Sequence, residues 1–106
     1  MARKTPRLKI VITPRAQRDI HEIWDFNREQ YGANWADDYV EFLVDRASRL
    51  VTDYPLGKPV PNRPGFWFRL IRRRSGYGHF VIFQVIEDMV EVLHFYHTAQ
   101  DWQNKL

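Results

Sequence analysis

"RLIRRRSGYGHFVIF", Arg69–Phe83, decides the fold. Its first half ends a strand-like run, "FWFRLIRRR", that starts at Phe66. Its second half opens another, "GHFVIFQVI". Only "SGYG" separates them, and a gap this short forces an antiparallel hairpin. Past Glu87-Asp88 a third run, "MVEVLHFYH", extends the hairpin to a three-strand meander, although Glu-Asp is not the favoured two-residue turn. The middle run is apolar at both parities. An antiparallel sheet with one wet side alternates instead, so its second face is expected to meet something else, such as a partner chain.

Upstream, "LKIVIT" (Leu8–Thr13) is rich in β-branched residues and stops at Pro14, which predicts a first strand. Thr13-Pro14 then starts a helix, with a hydroxyl N-cap and proline at the first helical position. Ile20, Ile23, Trp24, Asn27 and Tyr31 make its stripe, and Gly32 is a C-cap candidate. Asn34 is placed to cap a second helix, whose stripe is Ala36, Tyr39, Val40, Leu43, Ala47, Leu50 and Val51. Two helices joined so tightly form an antiparallel hairpin. "YPLGKPVPNRPG" (Tyr54–Gly65) carries four prolines and two glycines, which predicts a connecting loop without regular structure. The order is strand, helix, helix, strand, strand, strand. That is an α+β fold, with a helical hairpin packed on a small antiparallel sheet.

At 106 residues the chain fits one domain, residues 1–106. Its 44% hydrophobic content is too high for a disordered chain. It has no cysteine, which excludes disulfides and thiolate metal sites and makes a reducing cytoplasm the default. No apolar run reaches signal-peptide or membrane-span length, so no membrane association is expected. "MARKTPR" reads as a basic, frayed leader.

The net charge of +3 hides a segregation. Residues 14–53 hold nine acids against five bases. Residues 54–86 hold Lys58, Arg63, Arg69, Arg72, Arg73 and Arg74 and no acid. Strand parity puts Arg69 and Arg73 on one face and Arg72 on the other. Arg72 and Arg74 run into the turn, where they can be solubilisers that guard an edge against sheet-to-sheet pairing. Arg69 lies between Phe68 and Leu70 and needs a carboxylate, an aromatic face or a ligand. The functional alternative is a surface facing an anion or a partner, since arginine suits bidentate capture of carboxylate or phosphate.

His79 opens the central strand, and His94 and His97 flank Phe95-Tyr96 in the last one. His94 and Tyr96 share a face; His97 lies opposite or past the strand's end. Each histidine can simply be a packed or surface ring. No metal site is expected, because the 94/97 spacing suits a helix better than a strand and no nearby acid completes a ligand set. No phosphate loop, Ser-His-Asp pattern or acid pair is present, and no cofactor is implied.

The pieces "ITPRAQRDIHEIWDF", "YGANWADDYVEFL", "YPLGKPVPNRPGFWFRLI" and "YGHFVIFQVIEDMVEVLHFYHTAQDW", in this order and spacing, resemble the RelE/ParE superfamily of type II toxin–antitoxin systems, and its ParE-like branch in particular. The resemblance implies a bacterial cytoplasmic toxin that causes growth arrest, a role tied to plasmid stabilization. It also implies a hetero-oligomer with a cognate antitoxin whose C-terminal segment wraps it, often as a helix. Such antitoxin segments are usually acidic, which fits the basic stretch. Arg69, Arg72, Arg73, Arg74 and His79 are then the candidates for antitoxin or target contact.

ParE-like members are associated with inhibition of DNA gyrase by binding, without catalysis. RelE-like members are ribosome-dependent endoribonucleases that cut mRNA. The tail "TAQDWQNKL" departs from the basic, Tyr-bearing tail of that branch. If the chain were such an RNase, Arg69, Arg73, His94, Tyr96 and His97 would be its catalytic candidates. An inactive relative that only binds antitoxin is the third reading.

Overall fold

The computed structural model describes residues 8–74 and 77–106. The basic leader, the Ser75-Gly76 turn and the side chains of Arg74 and Tyr77 lie outside the described residues.

Strand β1 (Lys9–Ile12) leads into helix α1 (Pro14–Tyr31). Thr13 caps the helix as its hydroxyl dictates. Oγ1 accepts from the Ala16 N–H at 3.2 Å and donates to the Val92 carbonyl at 2.9 Å, which ties the helix start to the sheet. Gly32 ends α1 with φ 97°, a region glycine enters freely. The same residue starts helix α2 (Ala33–Ser48), so Asn34 falls inside the first turn and does not cap it. The turn is that tight because Gly32 reverses the chain alone. Helix α2 breaks at Arg49, and a single turn, α3 (Leu50–Asp53), follows.

Two polar contacts lock the hairpin. Trp24 Nε1 donates to Asp37 Oδ1 at 2.8 Å. Asn27, fully buried, accepts from Trp35 Nε1 at 3.2 Å and donates to the Ile23 carbonyl at 2.7 Å. An amide buried in this way stays tolerable because both its oxygen and its nitrogen are used.

The remaining strands are β2 (Lys58–Pro59), β3 (Trp67–Arg74), β4 (Tyr77–Ile86) and β5 (Met89–His97), and the sheet order is β1-β5-β4-β3-β2. The β3-β4-β5 meander is antiparallel as expected. The sheet as a whole is mixed, because β1 runs parallel to β5. The helical hairpin makes this possible: it carries the chain across one face before β3 begins. Within the Pro/Gly loop, β2 is a two-residue exception to the expected irregularity. Pro59 sits on an edge, where its missing N–H is harmless. Glu87 takes φ 53°, so the Glu-Asp turn forms with a non-glycine residue in the left-handed region.

One core lies between helices and sheet. Tyr39, Leu43, Ala47 and Leu50 meet Val81, Phe83, Val90, Val92 and Phe95. A register slip between Ile82 and Phe83 inserts one extra residue, Leu93, into β5. Val92 and Phe95 can therefore both face the helices.

The second face is not open. Val60, Ile82, Tyr96 and Trp102 form a second buried cluster there, with Phe66, Phe68, Phe80 and Leu106 against it. Trp102, in a 3-10 turn (Trp102–Lys105), lies 5.1 Å from the Phe68 ring and 5.4 Å from the Phe80 ring. Arg63, from the Pro/Gly loop, donates to the Leu106 carbonyl oxygen and ties down the tail. The chain's own C-terminal segment thus supplies the cover that the apolar parity of β4 calls for, where a partner chain was expected.

Candidate functional site

Pairing places the arginines. Arg69 lies opposite Val81, and Val81 opposite Phe95, so Arg69 shares the helix side with the main core. Arg73 joins it there, its guanidinium 5.5 Å from the centroid of the Phe42 ring of α2. Arg46, one turn on from Phe42, sits 5.1 Å from the same ring. Two guanidiniums on one aromatic ring make a cation–π cluster at the margin where α2 leaves β3 uncovered. Trp67, 38% exposed, extends the same margin. Arg72 is exposed and Arg69 half-buried. Arg72 points to the other face by parity, and Arg74 ends the strand, its side chain outside the described residues. Among the described residues no carboxylate comes within ion-pair distance of Arg69, Arg72 or Arg73. The result is a cationic flank along β3, with Phe42 and Trp67 as its apolar surfaces.

His79 departs from the surface role expected for it. Its ring is 3% exposed, and Nδ1 is hydrogen-bonded to the Tyr39 hydroxyl at 2.7 Å, inside the main core. The reason is register: His79 pairs with Ile71 and follows the parity of Val81, which is the buried side. Burial, with the nearby His97 ring adding to it, pushes the imidazole down to about 3, so it is neutral at physiological pH. The ring packs in the core and also lines the floor of the cleft between α1 and the end of β5.

The nuclease candidates do not converge. Arg69 and Arg73 stand on β3, two strands from β5. His94 and Tyr96 stack on each other, centroids 5.1 Å apart, on the tail side of β5. His97 lies on the helix side, edge-on to His79 at 5.3 Å. Its Nδ1 accepts from the Ala99 N–H at 3.0 Å, which leaves Nε2 as the protonated nitrogen of the neutral ring. Burial is the main cause that raises the Tyr96 phenol, with Asp19 adding to it, so the phenolate is unfavourable. Burial also lowers His94, with Asp19 pulling the other way.

Sequence reasoning passed over Asp19. Its one local signal is its place on a stripe: Ala16, Asp19, Ile23 and Asn27 follow helical spacing on the buried side of α1. β1 pairs with β5 only as far as Val92, and there Asp19 takes over. Oδ2 accepts the Phe95 N–H at 3.0 Å and lies 3.4 Å from His94 Nδ1, while Arg15 Nε is 3.9 Å from Oδ1. Beside it opens a cleft of about 490 Å³ between α1 and the end of β5, lined among others by Arg15, Glu22, Tyr96, His97 and Lys105. Its two basic residues face two acids and a neutral phenol, a mixed lining that selects no charge class. Among the described residues no cluster of histidines and acids could hold a metal ion.

A two-helix hairpin on a small mixed sheet, with a cationic flank along β3, defines a class of small α+β proteins. Comparison with known proteins makes this particular. Residues 10–102 match the family model described as the ParE toxin of the type II toxin–antitoxin system parDE, so the chain belongs to the ParE toxin family. It is 25% identical over 100 residues to Toxin ParE1 of Mycobacterium tuberculosis, in strain CDC 1551 / Oshkosh and in strain H37Rv. Each alignment covers 92% of this chain and 97% of the relative. Among solved structures, a chain of the chromosomal ParDE TA system from P. aeruginosa shares the fold. The TM-score is 0.69 at 19% identity, over 87% of this chain and 97% of that one. Among the described residues no helix is long and apolar enough to cross a membrane.

Proposed function

We propose that this toxin, a single domain acting in the bacterial cytoplasm, arrests growth by binding DNA gyrase, and that a cognate antitoxin silences it by covering the cationic flank of β3. The match of residues 10–102 to the ParE toxin family carries the reading. Binding rather than catalysis is supported by the dispersal of the nuclease candidates: Arg69 and Arg73 lie two strands and one face away from His94 and Tyr96. General acid–base cleavage needs donor and acceptor within hydrogen-bond reach of one substrate group. The arginines suit a carboxylate-rich antitoxin segment, because opposite charge steers the encounter and fixes the register.

Purified protein is expected to block the supercoiling of relaxed plasmid by gyrase, and its expression without antitoxin to trigger an SOS response and halt growth. Primer extension on cellular mRNA should then show no new 5′ ends. Intact supercoiling together with new 5′ ends at codon boundaries would transfer the assignment to a ribosome-dependent endoribonuclease. Normal growth at verified soluble expression would leave an inactive, antitoxin-binding relative.

A further inference from the structure

β3 has an open edge. It is eight residues long, but β2 pairs with it only through Lys58↔Phe68 and Pro59↔Trp67. The Val60 N–H donates to the Phe66 carbonyl at 2.9 Å, so Phe66 and every second residue after it turn their backbone groups toward this edge. Phe68 meets Lys58 there. Leu70 and Arg72 come next, and among the described residues no strand lies beside them. The chain before β2 has turned away in the 3-10 turn Tyr54–Leu56. The N–H and C=O groups of Leu70 and Arg72 thus form a template for another strand.

The side chains say which strand fits. Leu70, 40% exposed, and Arg72 flank the edge on the tail side; Arg69 and Arg73 flank it on the helix side. Pairing with a second copy would set arginine against arginine, which is unfavourable for directly opposed residues. An extended acidic peptide has the opposite character. It would put carboxylates opposite Arg72 on one face and opposite Arg69 and Arg73 on the other, with an apolar residue against Leu70.

We propose that the β3 edge at Leu70–Arg72 takes an acidic, extended peptide segment as an added strand, and that on the reading above the antitoxin supplies it. Main-chain hydrogen bonds then provide affinity and the arginines select charge and register. The arginine-rich edge that opposes self-association is the same edge that admits the partner.

Amide hydrogen exchange, measured on the free protein and on its complex with the full-length antitoxin encoded with it, tests this. The Leu70 and Arg72 amides are expected to exchange at least about tenfold more slowly in the complex. Leu70→Pro removes one outward N–H and spares the ladder to β4, as edge prolines do; it should weaken the complex roughly tenfold, while Leu70→Ala changes affinity far less. A complex that forms with both amides exchanging as in the free protein overturns the proposal and leaves the antitoxin reading standing. Failure to form a complex overturns both. Protection of these amides in a dimer of this chain alone overturns it in favour of self-pairing. If Leu70→Pro fails to fold, the exchange data on the unmodified protein still decide.

Discussion

Trp102→Ala is expected to cost about 3–5 kcal/mol of stability, the range for truncating a buried aromatic side chain. Trp102 is 5% exposed and packs on Phe68, Phe80 and Tyr96, so its loss removes the centre of the second cluster. Among the described residues no other tryptophan belongs to that cluster, and the tail would be left with Leu106 and the Arg63 contact to hold it. In urea the midpoint should fall by roughly 1–5 M for a slope of about 1–3 kcal/mol/M. The variant should also bind an apolar dye, since the face it uncovers is aromatic. A loss below about 1 kcal/mol would mean that the tail lies on the sheet without sealing it.

Acid should destabilise the fold well before most carboxylates titrate. Unfolded, His79 titrates near 6.5; folded, burial and then His97 hold it to about 3. Above pH 6.5 the ring is neutral in both states, and its contribution does not vary with pH. Below 6.5 the unfolded chain binds a proton that the folded chain refuses. Stability then falls by about 1.4 kcal/mol per pH unit, reaching a loss of roughly 4–5 kcal/mol near pH 3. His94, also lowered by burial, works in the same direction. Urea unfolding between pH 7 and 4.5 reads the slope. Tyr39→Phe/His79→Leu removes both partners of the buried hydrogen bond, so neither is left unsatisfied, and should flatten the slope by more than half. An unchanged slope in that double variant would place the titrating group elsewhere.

The elements of the fold were legible because local chemistry fixes them. Thr13-Pro14 dictates a helix start, Gly32 a reversal, and the β-branched and aromatic runs the three long strands. What escaped depended on distant partners. Parity correctly put Arg69 and Arg73 together, and His94 with Tyr96. It could not say which face looks at the helices, because β4 is apolar on both. That choice is made by the tail, which returns to cover Phe68 and Phe80. His79 looked available at a strand's opening. Its burial depends on Tyr39, forty residues away in sequence, whose hydroxyl satisfies the ring. Parallel pairing of β1 with β5 likewise leaves no local trace. Asp19 was legible in principle from its place on the buried stripe of α1. The backbone N–H it accepts belongs to Phe95 and could be known only from the fold.

Arg69 and Arg73 thus lie on the opposite side of the sheet from the second apolar cluster. The apolar side is closed by the chain itself, while the cationic flank lies along the margin between α2 and β3. A partner that reads charge should bind there. Titration of Arg69→Glu/Arg73→Glu with the antitoxin, at low and at high salt, tests this most directly. Affinity about 10- to 100-fold weaker at low salt, with the difference shrinking as salt rises, is the predicted result. Equal affinity of the variant and the unmodified protein at both salt concentrations would contradict it.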